Sequence, residues 1–141
     1  MQRDTDWLKA TLETIPALAN SVFVTTVPPN TVPAHSDDFR FVVIHPQDGD
    51  DDTDRLTGPN VHRHPRFTLY SVGADARQAQ ATAERVKARL VVQGFGIVPD
   101  VPGEFTQRLW YSVPTPLAVD RDPSPHWVFH TAELGWKSQT L

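Results

Sequence analysis

Apolar residues recur at helical spacing near the start of the chain. They fall on one face of a helix predicted over residues 4–18. The members of that face are Trp7, Leu8, Leu12 and Ile15. Asp4 is placed to cap the helix by accepting a free backbone N–H, and Pro16 is expected to end or bend it.

A second helix is predicted directly after Gly73. Asp75 and Gln78 form a pair typical of a capping box at its start. An alanine-rich stripe predicts a close approach to a sheet, and its members are Ala76, Ala79, Ala83, Val86 and Leu90. Gly94 suits the position just past the end of this helix.

Runs of β-branched and aromatic residues predict the strands. The predicted strands span residues 21–27, 39–45, 61–72, 107–113 and 126–134. Strands 39–45 and 61–72 are expected to pair as an antiparallel hairpin, with the acidic loop 46–60 at its tip. Pro65 cannot donate a ladder hydrogen bond, so the residues around it are expected to form an arm outside the sheet.

These elements predict one α+β domain over residues 1–141. It holds a single mixed or antiparallel sheet of about five strands and two helices, in the order α-β-β-β-α-β-β. Residues 135–141 are expected to be a flexible tail, and Trp136 within it is the tryptophan most expected to meet a partner.

Composition narrows the possible functions. The formal net charge is −4, which argues against a general binder of nucleic acid or anionic membrane. The absence of cysteine excludes disulfides and thiol catalysis. No signal peptide and no membrane-spanning apolar run is evident, so we expect the protein to be made and assembled in a cytoplasm, with no membrane partner.

The histidines and aspartates are candidates for chemistry. His45, His62 and His64 could gather around a zinc ion if the hairpin brings them together, but nothing in the sequence supplies a second shell. The aspartate run fails the calcium-loop pattern, because Thr53 and Pro59 stand where glycine and glutamate are required. No nucleophile elbow, phosphate loop or HExxH motif occurs. We therefore predict no enzyme activity, no catalytic or metal site, and no cofactor.

One segment carries a family resemblance. It consists of Ser71-Val72-Gly73 at the end of a strand, then Gln78-Ala79, and then residues 83–90, which read AERVKARL. With the element order around it, this segment resembles the tail terminator (tail completion) proteins of long-tailed bacteriophages.

The resemblance implies a tail-terminator-like fold and a structural role in virion assembly. Such proteins form a homo-hexameric ring that caps the tail tube, stops its polymerisation and joins head–tail connector or neck proteins. It implies a location at the head-proximal end of the tail, with DNA passing through the lumen without specific binding. Six touching globules of this size would leave an opening of roughly 30–40 Å, enough for a DNA duplex.

The residues expected at subunit contacts or in the lumen belong to two segments. They are the acidic residues Asp48, Asp50, Asp51, Asp52 and Asp54, and the arm residues His62, Arg63, His64 and Arg66. Arg63 and Arg66 are expected to meet the aspartates of the next subunit. A head–tail connector or neck protein is the alternative within the same structural class, and a His/Asp metal-dependent hydrolase is the alternative outside it.

Overall fold

A computed structural model describes residues 2–28, 31, 39–47, 51–52, 62–121 and 126–140, with the backbone alone at 51, 52, 62 and 140. A short 3-10 turn, Pro16–Leu18, follows the first helix. The helices and strands are α1 (Gln2–Glu13), β1 (Val22–Val24), β2 (Arg40–Gln47), β3 (Asp51–Asp52), β4 (His62–Arg63), β5 (Arg66–Gly73), α2 (Ala76–Leu90), β6 (Val91–Val92), β7 (Phe95–Gly96), β8 (Glu104–Thr106), β9 (Trp110–Ser112), β10 (Ala118–Asp120), β11 (Trp127–Gly135) and β12 (Ser138–Thr140).

The main sheet has the order β1-β2-β5-β11-β10, and β9 also pairs with β11. β1 runs parallel to β2, and the other pairs are antiparallel. Strands β2 and β5 form the predicted hairpin, with Val43 opposite Tyr70. The α+β fold with two helices and a mixed sheet is confirmed.

Both helices pack on the same face of the main sheet. Leu8 and Leu12 from α1 meet Val86 and Leu90 from α2 in one buried cluster over the sheet. The stripe on α2 includes Thr82, which the sequence pattern omitted, and leaves Ala76 exposed. The helices therefore cover one side of the sheet, and no described helix packs on the other side.

A second, four-stranded sheet has the order β3-β4-β12-β8. It includes Ser138–Thr140, so the prediction of a loose tail is wrong for that strand. Trp136 is also buried, at 1% exposure, and stacks on Phe67 with ring centroids 5.3 Å apart. A buried side chain as large as that of tryptophan contributes strongly to packing. The burial of Trp136 therefore fixes the C-terminal segment in place.

The structure confirms the predicted cap at the start of α2, but it does not place Gly94 at the end of the helix. The Asp75 carboxylate accepts a hydrogen bond from the backbone N–H of Gln78 at 2.8 Å. Gly94 lies beyond the helix, in the two-residue turn that joins β6 to β7, where Gln93 and Gly94 have φ values of 54° and 83°. Positive φ at both turn residues is typical of a tight hairpin and explains the glycine.

Candidate functional site

The acidic part of the predicted site lies mostly beyond the described structure. Asp48, Asp50 and Asp54 fall outside the described residues. The backbone of Asp51 and Asp52 forms β3, which pairs antiparallel with β4 in the second sheet. The hairpin of the main sheet therefore continues into a second sheet.

The residues predicted to form an arm pair with strands of their own chain. β4 lies between β3 and β12, so its backbone pairs on both sides. The carbonyl of the buried Pro65 accepts a hydrogen bond from the backbone N–H of Trp136 at 3.2 Å. The interpretation of these residues as an arm free to reach a neighbour is wrong, because ladder bonds within the chain hold them.

Arg63 lies in a buried ionic cluster that joins α1 to the second sheet. Its guanidinium donates to both carboxylate oxygens of Asp4, at 3.1 and 2.9 Å, and lies 3.1 Å from Glu104. The carboxylate side chains of Asp4 and Glu104 are fully buried. Arg3 and the Ser138 hydroxyl also donate to Glu104, at 3.2 and 2.9 Å.

This ionic cluster changes the roles predicted from sequence for Asp4, as a helix cap, and for Arg63, as a subunit contact. Asp4 lies within the first turn of α1, but its carboxylate pairs with Arg63 across 59 positions of sequence. The charge of Arg63 is neutralised within the chain, so it is not available to attract the aspartates of a neighbour. Arg63 instead positions the second sheet on α1.

Arg66 is exposed and His64 is partly exposed, whereas the side chain of His62 lies outside the described structure. The Arg66 guanidinium stands over the Trp110 ring, 5.9 Å from its centroid. His64 lines a surface cavity of about 270 Å³ together with Lys137 and Gln107. His45 lies elsewhere, edge-on to Tyr70 at 5.1 Å. His45 and His64 thus line different surfaces, and the described part of the chain contains no group of three side chains able to hold a metal ion.

The face of the main sheet opposite the helices carries aromatic side chains. Tyr70 contacts His45 and Phe129 edge-on, and Trp127 contacts Phe41 in the same way. An open cavity of about 330 Å³ lies on this face, and we call it the aromatic groove. Its lining residues are Thr25, Val27, Val43, His45, Tyr70, Val72, Asp120, Trp127 and Phe129. No helix among the described elements covers this groove.

The aromatic groove was missed at the level of sequence, although the signal is present. Phe39, Phe41 and Val43 alternate along one strand, which places them on one face of the sheet. The pairing register places Phe41 opposite Val72, and Val72 opposite Phe129. Because the alternation alone does not say which face the helices cover, the open aromatic face follows only from the assembled sheet.

A second exposed apolar feature is the tip of the β6–β7 hairpin. Val92 and Phe95 are cross-strand partners there, with 52% and 64% exposure. The Arg108 guanidinium stands over the Phe95 ring at 5.6 Å and donates to the carbonyl of Gly96 at 3.2 Å. We call Val92, Gln93, Gly94 and Phe95 the hairpin tip.

A third feature is a gap between β9 and β10, which pair with different parts of β11. β9 pairs with residues 133–135 and β10 with residues 127–129, which leaves residues 130–132 unpaired by either strand. His130 and Tyr111 line a cavity of about 270 Å³ at this break. Burial lowers the pKa of His130 and raises the pKa of Tyr111 to about 12, so it favours the neutral form of both side chains.

No described helix is both long and apolar enough to cross a membrane.

Comparison with known proteins identifies a shared fold. No family model matches the chain, and no curated protein matches it. A solved chain from the virion of a native gene transfer agent (GTA) particle is similar over 93% of this chain and 84% of its own length. Its TM-score is 0.54 and its sequence identity is 17%. A second solved chain, covering 97% of this chain and 95% of its own, has a TM-score of 0.44 and 17% identity, too low to carry an argument.

Proposed function

We propose that this chain is a structural component of a phage-like virion and acts as its tail terminator. In this role, copies of the chain form a hexameric ring at the head-proximal end of the tail tube. The ring stops tube polymerisation and offers a surface to head–tail connector or neck proteins. DNA passes through its lumen without specific binding, and the chain performs no catalysis.

The observation that carries this proposal is the fold shared with a GTA virion chain along 93% of the length. The segment that resembles tail terminators supports it from the sequence side. It forms the end of β5 and most of α2, the helix that packs on the covered face of the sheet. The segment therefore supports the proposal through its scaffold, and it contributes no chemical group.

The surfaces of the molecule also favour assembly over chemistry. The aromatic groove and the hairpin tip expose apolar area, which is typical of protein contact sites. The buried charges of Asp4, Arg63 and Glu104 form a closed internal cluster that fastens two parts of the fold. Acidic residues in the lumen would repel the phosphates of DNA and allow it to slide, and the net charge of −4 is compatible with this.

The test is to remove the gene from the strain that encodes the chain and image the particles by electron microscopy. Loss of a terminator predicts tail tubes longer than normal, and heads without tails. Restoring the gene should restore tail length. Tails of normal length that fail to join heads would instead indicate a neck or connector protein. Normal, complete particles would exclude both roles.

A further inference from the structure

We propose that protonation of His130 releases residues 113–120 from α2 and from β11, so that this segment acts as an acid-sensitive latch. The rest of the main sheet stays folded when the latch opens. The movement takes place within one chain, so this inference does not depend on the proposed ring.

β9 and β10 are two parts of one interrupted edge strand. Both run antiparallel to β11, and β5 occupies the other side of β11 along residues 128–135. Between its two paired parts the edge strand has residues 113–117, whereas β11 has only residues 130–132 over the same interval. The edge chain is therefore longer than its partner here and bulges away from it. We call residues 113–117 the edge bulge.

The edge bulge and β10 are held more weakly than β9. Pro114 and Pro116 have no N–H and cannot donate a hydrogen bond to β11. Among the described strands β10 pairs only with β11, and its Val119 is 50% exposed. Leu109, next to β9, is buried, and its N–H donates to the carbonyl of Ile97 at 3.0 Å. Local opening should therefore release the edge bulge and β10 and leave β9 in place.

His130 lies beside the edge bulge on the helix side of the main sheet. Ala132 and Leu134, which follow on the same face of β11, belong to the core cluster under the helices. His130 lines the cavity of about 270 Å³ together with Val113 and Leu117 of the edge bulge. Its Nδ1 atom is buried and has no hydrogen-bond partner in the described part of the chain. In the protonated ring this nitrogen would be a buried, charged donor without an acceptor, which is unfavourable.

The groups that face His130 do not supply a buried negative charge to offset this cost. α2 contributes Glu84 and Lys87 to the cavity, and these exposed side chains have opposite charges. β9 contributes Tyr111, whose neutral form is favoured because burial raises its pKa to about 12. The residue opposite His130 on β5 is the uncharged Ser71, and the edge bulge contains no charged residue. Hydration of the ring through opening of the latch is then the available way to accommodate the charge.

The direction of the pH dependence follows from burial. Burial lowers the pKa of His130 below its ordinary value of 6.5, and opening of the latch would return the pKa toward that value. The open form therefore binds the proton more tightly than the closed form, so the latch is closed at neutral pH and opens as the pH falls below 6.5. Because one proton is taken up, the open fraction can grow by up to about tenfold for each pH unit.

Hydrogen–deuterium exchange of the full chain at about pH 7.5 and about pH 5.5 tests the latch. After correction for the intrinsic effect of pH on exchange, the amides of residues 118–120 should lose protection at least about threefold at the lower pH. The amides of residues 66–73 in β5 should keep their protection. Unchanged protection at residues 118–120 would overturn the proposal, and so would an equal loss in both segments, which indicates general unfolding.

Substitution of His130 tests whether this side chain is the proton acceptor. His130→Gln keeps a polar side chain that does not titrate in this range, so acid should no longer change the protection of residues 118–120. His64→Gln is the matched control, because His64 is partly exposed and lines a different cavity. This control should respond to acid as the wild type does. A wild-type response in His130→Gln would overturn the proposal.

A second pair of variants gives an independent test should His130→Gln fail to fold. Glu84→Gln and Lys87→Gln both change exposed side chains of α2 that line the cavity. Loss of the carboxylate disfavours the closed, protonated form and should increase the acid response by about twofold, whereas loss of the ammonium group should reduce it by about twofold. Identical responses in the two variants, or the reverse order, would contradict the latch.

Discussion

Arg63 shows how one residue can link distant parts of this fold. Its guanidinium joins α1 to β4 and β8 through two carboxylates that have no exposure. Two buried carboxylates would be costly without a cation, since charge transferred from water to the interior is strongly unfavourable. The sequence contains Asp4, Arg63 and Glu104 far apart, and no local pattern predicts that they meet.

Replacing Arg63 should therefore destabilise the protein strongly. Arg63→Met keeps much of the side-chain length but leaves Asp4 and Glu104 without their shared partner. We expect a loss of about 3–5 kcal/mol in the free energy of unfolding, measured by urea denaturation at pH 7. The control Arg66→Met removes an exposed contact with Trp110 and should cost less than about 1 kcal/mol. Similar losses for both variants would contradict the internal role of Arg63.

His130 should make the stability depend on pH. Burial lowers its pKa in the folded state from the ordinary 6.5, so the unfolded chain binds more protons as the pH falls below that value. The free energy of unfolding should then fall from pH 7 toward pH 5. His130→Gln removes this contribution and should give a flatter curve over the same range. A variant with an unchanged pH dependence would show that His130 does not titrate differently on folding.

At the scale of elements, the junction of β5 and α2 is set by Gly73. A Cβ atom at this position would stand 2.5 Å from the backbone nitrogen of Ala79, closer than real Cβ contacts allow. Glycine therefore allows the first turn of α2 to fold directly onto the end of β5. The sequence indicated this junction well, because the strand pattern, the cap at Asp75 and the helical stripe are all local signals.

Gly73→Ala should disturb that junction. The clash involves backbone atoms of α2, so we expect a loss of about 1–3 kcal/mol in thermal or urea unfolding. Gly94→Asn is the matched control, since no atom lies within 4 Å of its Cβ position and asparagine tolerates positive φ. That substitution should cost less than about 1 kcal/mol. An equal or larger loss at Gly94 would contradict the steric explanation.

The missed strands of the second sheet share one physical property. β3, β8 and β12 are two or three residues long, and each pairs with a strand from another part of the chain. Strands that short show no clear alternation, and partners elsewhere in the chain decide whether they form. Trp136 illustrates the consequence, because its burial depends on α1 and β5 packing around it and not on its neighbours in sequence.

At the scale of the whole molecule, the two faces of the main sheet have different roles. One face carries the helices and the larger core cluster, and the other carries the aromatic groove. The sequence predicted a sheet with helices packed on it, but it did not predict which face of the sheet stays open. That choice depends on both helices returning to the same side, which is a property of the chain connections and not of any single element.

The most direct test of the proposed ring is electron microscopy of tail tubes incubated with the purified chain. We predict a ring of six copies at one end of each tube, with a channel wide enough for duplex DNA. Sedimentation of the released ring should give six times the 15.8 kDa mass of one chain. Bare tube ends, together with a species that stays monomeric at every concentration, would contradict the proposed ring.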